Sequence, residues 1–215
     1  MSGDPVRLIE EIGVLPVVRL DDLSRALDLA DALASGGIPV LEFTLTNPDA
    51  VDVIRMVGRE RPDLTVGAGT VLDAASARLA ILAGARFLVT PVLRPEVIVL
   101  GRRYGVPTLC GAFTPTEILA AWEQGSPCIK VFPASTAGPS YFRAVREPLP
   151  QVRLMPSGGV TLENTPDFIR AGAAAVSAGG QLVSPDDVRD LNWAAIRARA
   201  CAFVSAVRDA RDHRR

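Results

Sequence analysis

The chain is poor in the residues that carry several familiar chemistries. Among its 215 residues there is one histidine, His213, and there are three cysteines, Cys110, Cys128 and Cys201, spaced far apart. One imidazole so placed argues against a Ser-His-Asp triad, a Cys-His dyad or a zinc site with imidazole ligands. Three scattered cysteines form neither a disulfide framework nor a C-x-x-C metal site, and they imply a reducing, cytoplasmic setting. No apolar run reaches the roughly 18 residues of a membrane span. The opening "MSGDPVRLIEEIG" has acidic residues where a signal peptide would need a basic region and an apolar stretch. The formal net charge is −1, so no overall field favours nucleic acid or an anionic membrane. The basic ending "RDARDHRR" reads as a solvated helix end. Scarcest of all is lysine. Of 23 basic residues, 22 are arginine, and the one lysine, Lys130, stands inside the apolar run "CIKVFP".

What is abundant is apolar: 48% of residues are hydrophobic and 22% charged, the balance of an ordinary globular protein with a large core. Short β-type runs recur at 14–20, 40–45, 65–70, 86–91, 107–112, 128–133, 153–159 and 174–180. Several are almost continuously apolar, as parallel strands covered on both faces are. Between them lie helical patterns. In "DLSRALDLADALASGG", Leu23, Ala26, Leu27, Ala30 and Leu33 share a stripe that ends at Gly36–Gly37. Further helices stop at Gly84, Gly105, Gly125 and Gly172, and two end in turns containing Pro62 and Pro150. From Gly37 on, the stops recur at about the spacing of one strand plus one helix. Eight such units predict an α/β fold, a single (β/α)8 TIM barrel spanning residues 1–215, with a short helix over 4–12 covering its bottom. No G-x-G-x-x-G follows the first strand, so an open doubly wound sheet lacks support.

Active sites of this barrel collect at the C-terminal ends of the strands. Those ends carry Arg19, Glu42, Gly69 with Thr70, Thr90 with Pro91, Gly111, Lys130 with Phe132, Ser157 with Gly158 and Gly159, and Gly179 with Gly180. A strand lysine commonly buries its stem and reaches for solvent, but arginine does that as well, and this chain otherwise uses arginine. Lysine alone of the two can lose its proton when desolvated, so a function that needs a neutral amine accounts for the exception. That makes Lys130 a candidate nucleophile. Glu42 reads as a charge partner for Lys130, a core carboxylate, or a general acid/base beside the amine. The paired glycines read either as plain turns or as backbone N–H donors for a phosphate. "GAGT" is a tight turn or a means of bringing Thr70 to a carboxylate.

Together "VLEFTLTNPDA", "VGAGTVLD", "FLVTPVL", "IKVFPAS" and "MPSGGVTLEN" resemble the class I aldolases that cleave 2-keto-3-deoxy-6-phosphogluconate, its galactonate epimer, or 4-hydroxy-2-oxoglutarate. The resemblance runs from about residue 6 to 205. It implies Lys130 as the Schiff-base lysine, Glu42 as the proton shuttle and Thr70 as a hydroxyl holding the pyruvyl carboxylate. It further implies Pro91 and Phe132 around the imine and Ser157 at the sugar's C4 oxygen. The substrates would be phosphorylated 2-keto-3-deoxy sugar acids and pyruvate, with no metal or organic cofactor, in a homotrimer. Two departures stand out. The phosphogluconate enzymes usually carry an arginine four residues after the glutamate. Here Thr46 and Asn47 follow, as in the galactonate branch, which leaves Arg19 as the replacement cation. Gln181 stands where many relatives have a serine near the phosphate. Ser157, by contrast, keeps the gluconate-type hydroxyl.

Three other readings stay open on sequence alone. One is an isomerase or synthase that uses Lys130 as a phosphate-binding charge. Another is a catalytically silent metabolite binder, and the third a metal-dependent aldolase with an all-oxygen site.

Overall fold

The computed structural model describes residues 3–212; His213 lies outside them. Eight parallel strands occur in the order β7-β6-β5-β4-β3-β2-β1-β8. They are β1 Val14–Val18, β2 Val40–Thr44, β3 Thr65–Gly69, β4 Leu88–Val89, β5 Thr108–Ala112, β6 Ile129–Val131, β7 Leu154–Pro156 and β8 Val176–Ala178. β8 returns to pair with β1, and a parallel bridge between Ser157 and Ser177 draws β7 to β8. The ring is thus nearly closed, and the sheet is an eight-stranded α/β barrel as the alternation of elements predicts.

Every strand is shorter than its apolar run. The residues expected to finish the strands, such as Arg19, Thr70 and Gly179, have already begun the loops, and Phe132 keeps only one bond back to β5, its N–H donating to the Ala112 carbonyl at 3.1 Å. The apolar or glycine-rich character simply continues past the last ladder hydrogen bond. Outside the barrel lie α2 Ala26–Ser35, α3 Ala50–Glu60, α4 Ala74–Leu82, α5 Pro95–Arg103, α6 Pro115–Glu123, α7 Ala134–Arg146 and α8 Thr165–Arg170, followed by α9 Pro185–Arg189 and α10 Trp193–Asp212. The glycine stops hold: Gly37, Gly84, Gly105, Gly125 and Gly172 all take left-handed backbone angles. α2 buries a stripe shifted from the predicted one: Leu29 and Ala32 are buried as well, whereas Leu27 is only partly buried. α7 is broken at Gly138, whose ψ of 172° is not helical, just before Pro139. No helix among the described residues is long and apolar enough to cross a membrane.

The N-terminal helix α1 (Pro5–Ile12) opens on Asp4, whose carboxylate accepts the Val6 N–H at 2.9 Å. Asp4 and Pro5 border a depression with Pro107 and Pro127, at the starts of β5 and β6, so α1 lies at the barrel bottom as expected. The C-terminal segment corrects one expectation: it is not simply a solvated helix end. The Arg211 guanidinium donates to the carbonyls of Glu11 (2.8 Å), Glu10 (2.6 Å) and Ala174 (3.0 Å). It therefore caps the C-terminal end of α1 and ties the last helix beneath the barrel. Arg211→Ala is expected to lower unfolding stability by roughly 1.5–3 kcal/mol, the range for hydrogen bonds to a charged group. Urea denaturation checks this, and an unchanged midpoint would contradict the capping role.

Candidate active site

Lys130 is the middle residue of β6, and its ladder partners are Gly111 on β5 and Met155 on β7. Glu42 is the middle residue of β2, between Val17 and Gly67. β2 and β6 stand four places apart in an eight-stranded ring, so they face one another across the barrel. Alternate strands contribute to the same interior layer, and two even-numbered strands on opposite sides send their side chains to the same point. Lys130 Nζ lies 3.8 Å from Glu42 Oε1, with the side chains 4% and 0% exposed.

Glycines make room for this pair. A methyl group at Gly69 would come within 2.7 Å of Glu42 Oε1, so the carboxylate lies across the bare backbone of β3. Gly111, beside Lys130, leaves space for the Pro91 backbone. The Thr90 hydroxyl accepts the Gly111 N–H at 2.9 Å and donates to the Val92 carbonyl at 2.7 Å, which holds that loop down. The Phe132 ring centroid is 5.8 Å from Lys130 Nζ, within reach for a cation–π contact. The Phe132–Pro133 peptide is cis.

Above Lys130 a cleft of about 410 Å³ opens to solvent. Its walls include Arg19, Phe132, Ser157, Gly158, Gly159, Gly179 and Gly180, so most of the residues singled out in the sequence meet there. The carbonyls of Ser157 and Gly158 accept from the Ala134 and Ser135 N–H groups, and that of Gly159 from the Asn164 side chain. The Gly179 carbonyl accepts from Leu182 and Val183. The carbonyls of Ser157, Gly158, Gly159 and Gly179 are thus engaged within the protein, which suits an anion site lined by backbone N–H groups. Gly158 and Gly159 have φ of 80° and 79°. Gly179 and Gly180 need no such freedom, and Gly180 has open space where a side chain would stand.

Glu42 sits beneath the cleft. Thr70 and Pro91 are not among its lining residues; they follow the ends of β3 and β4. Thr70 has φ of 56°, an uncommon left-handed angle for a β-branched residue. Strain of this kind gathers at functional sites. The structure adds Ser177, absent from the residues singled out above. It is buried, lines the cleft, and lies 3.2 Å from the Ser157 hydroxyl. Its signal was a lone hydroxyl in the apolar run "AAVSA", two residues from Gly179 and therefore on the same face of the strand.

Neither carboxylate oxygen of Glu42 has a hydrogen-bond partner among the described residues. At 3.8 Å the contact with Lys130 is an ion pair, longer than a hydrogen bond. Burial pushes the Glu42 carboxyl above the usual glutamate range, against the opposing pull of the Lys130 and Arg19 charges. A raised carboxyl one water or one small movement from an amine can pass protons to and from it.

Residues 7–199 match the family model described as "Aldolase: KDPG and KHG aldolase". A 2-dehydro-3-deoxy-phosphogluconate aldolase of Pseudomonas aeruginosa is 38% identical over 191 residues, covering 88% of this chain and 86% of that one. A KDPG aldolase from Legionella pneumophila, solved with pyruvate captured at low pH as a covalent carbinolamine intermediate, superposes with a TM-score of 0.87. Its identity is 30%, with 94% of this chain and 98% of that one covered. A native KDPGal structure superposes with a TM-score of 0.85 at 30% identity, covering 92% and 96%.

If Glu42 acts as a base it must be ionised, so activity is present above its pKa and lost as pH falls through it. The acid limb of kcat/KM is therefore expected above 4.5, the ordinary glutamate value. Glu42→Gln should remove that limb and slow turnover by roughly 10²–10⁴-fold. The same burial favours the protonated carboxyl in the fold. Its contribution to stability is full below pH 4.5 and is lost as pH rises through the raised value. An acid limb at or below 4.5 would remove Glu42 from the role.

Proposed function

Since this chain belongs to the KDPG and KHG aldolase family, the class I pyruvate aldolases, we propose that it reversibly cleaves 2-keto-3-deoxy-6-phosphogluconate or its galactonate epimer to pyruvate and glyceraldehyde 3-phosphate. 4-Hydroxy-2-oxoglutarate, giving pyruvate and glyoxylate, is a further substrate of the same chemistry. The observation that carries the reading is the buried Lys130–Glu42 pair, 3.8 Å apart on opposite strands, beneath a cleft large enough for a six-carbon acid.

Free-base Lys130 attacks the C2 ketone to form a carbinolamine. Loss of water gives a protonated imine, which is an electron sink. Glu42 takes the C4 hydroxyl proton, directly or through one water, and the C3–C4 electrons move into the imine. The aldehyde departs and an enamine remains on Lys130. Protonation at C3 and addition of water then release pyruvate and the free amine. Burial of Glu42 serves both proton steps, because it moves the carboxyl up from the usual glutamate range, where it would almost always be ionised, toward one in which the protonated form can also donate.

The other residues singled out in the sequence are proposed to take the following parts, Thr70 and Pro91 from outside the lining of the cleft. Thr70 and Arg19 receive the carboxylate, Phe132 and Pro91 bound the imine, and Ser157 meets the C4 oxygen. The loops Gly158–Gly159 and Gly179–Gly180 offer N–H groups to the phosphate. Leu79 and Leu82 on α4, with Val99 and Tyr104 at α5, are 44–61% exposed and would be covered in a homotrimer. A cytoplasmic setting fits the free thiols of Cys110 and Cys128 in the core.

Lys130→Arg tests the chemistry in a coupled assay for released pyruvate, run with both phosphorylated epimers and with 4-hydroxy-2-oxoglutarate. Arginine keeps the charge but cannot form the imine, so activity on all three is expected to fall to background. Appreciable residual turnover would mean that Lys130 serves as a charge only.

A further inference from the structure

At the top of β1 the ladder with β2 ends at Val18 and Phe43. Arg19 is the next residue, exposed at the wall of the cleft. The three carbonyls that bracket it are all held by side chains from the end of β2. The Thr44 hydroxyl donates to the Val18 carbonyl at 3.3 Å. The Thr44 and Thr46 hydroxyls lie 2.9 Å apart, so Thr46 can donate to Thr44 while Thr44 donates onward. Asn47 Nδ2 donates to the carbonyls of Leu20 and Asp21, each at 2.9 Å. The remaining oxygen of the amide accepts the Asp49 N–H at 2.8 Å, which anchors Asn47 to the start of α3. Asn47 is only 8% exposed, so both of its N–H groups and its oxygen are engaged inside the protein.

We infer that Asn47, with Thr44 and Thr46, is a positioning device for Arg19, extending the β1–β2 pairing past the last backbone bond by side chains. Arginine has a long stem with many rotamers, and an exposed one points wherever its Cα–Cβ bond launches it. A loop free to shift by an ångström would carry the guanidinium out of register with an anionic substrate. Fixing the carbonyls on both sides of Arg19 fixes that launch direction. The Arg19 charge also reaches Glu42, so its placement bears on the carboxyl at the base of the cleft. The inference rests on the reading of Arg19 as the cation that meets the substrate.

The test is a double-mutant cycle on steady-state kinetics with 2-keto-3-deoxy-6-phosphogluconate, using Asn47→Ala, Arg19→Ala and the double variant. Asn47→Ala is expected to lower kcat/KM by about tenfold, chiefly through KM, and to have no further effect once Arg19 is absent. An equal loss in both backgrounds would make Asn47 a general staple and overturn the inference. An Arg19→Ala variant with unchanged kcat/KM would remove the cation assignment and the positioning role with it, while leaving imine chemistry at Lys130 intact. Should Asn47→Ala fail to fold, Asn47→Asp replaces it. Aspartate keeps the acceptor for the Asp49 N–H but has no donors for Leu20 and Asp21, so the same rise in KM is expected, and a wild-type KM would refute the role.

Discussion

A lysine and a glutamate enclosed side by side in the interior of a barrel form the constraint that organises this molecule. Taking two such groups out of water as ions costs several kcal/mol per ion, and the Coulomb gain seldom exceeds that cost. At 3.8 Å, with no hydrogen bond between them, Lys130 and Glu42 are poorly explained as a stabilising ion pair. Removing either partner would leave the other buried and unpaired. On the proposed reading the pair is two groups held ready to exchange a proton, at the expense of the fold.

Much of the surrounding architecture follows from accommodating it. Gly69 and Gly111 give up their side chains so that the carboxylate and the Pro91 loop can approach. Thr90 holds that loop through its own hydroxyl. The Gly158–Gly159 turn presses on the Phe132 ring, where a methyl group at Gly158 would come within 2.9 Å. These contacts join neighbouring strands and the loops that follow them, whereas Lys130 and Glu42 come from opposite strands.

The parts legible in the sequence were those with a local signature. Parallel strands buried on both faces leave apolar runs, and helices that turn back leave glycines, so the barrel could be read from periodicity. Lys130 and Glu42 betrayed themselves as charges within such runs. Strand ends could not be read, because Gly158, Arg19 and Gly179 lie just beyond ladders whose last hydrogen bonds leave no mark in composition. Arg211 was misread for a related reason: its acceptors are the carbonyls of Glu10 and Glu11, some 200 residues away in the chain. The clamp of Thr44, Thr46 and Asn47 was hidden as well, since threonine and asparagine after a strand are ordinary turn residues until their partners are known.

The central claim is that the Lys130 amine bonds covalently to a 2-keto acid. Incubation with pyruvate and sodium borohydride, followed by peptide mass spectrometry, tests it directly. The account predicts one stable reduced pyruvate adduct per chain, located on Lys130, with loss of activity in proportion. A protein that stays unmodified while it continues to release pyruvate, or an adduct elsewhere in the chain, would contradict it.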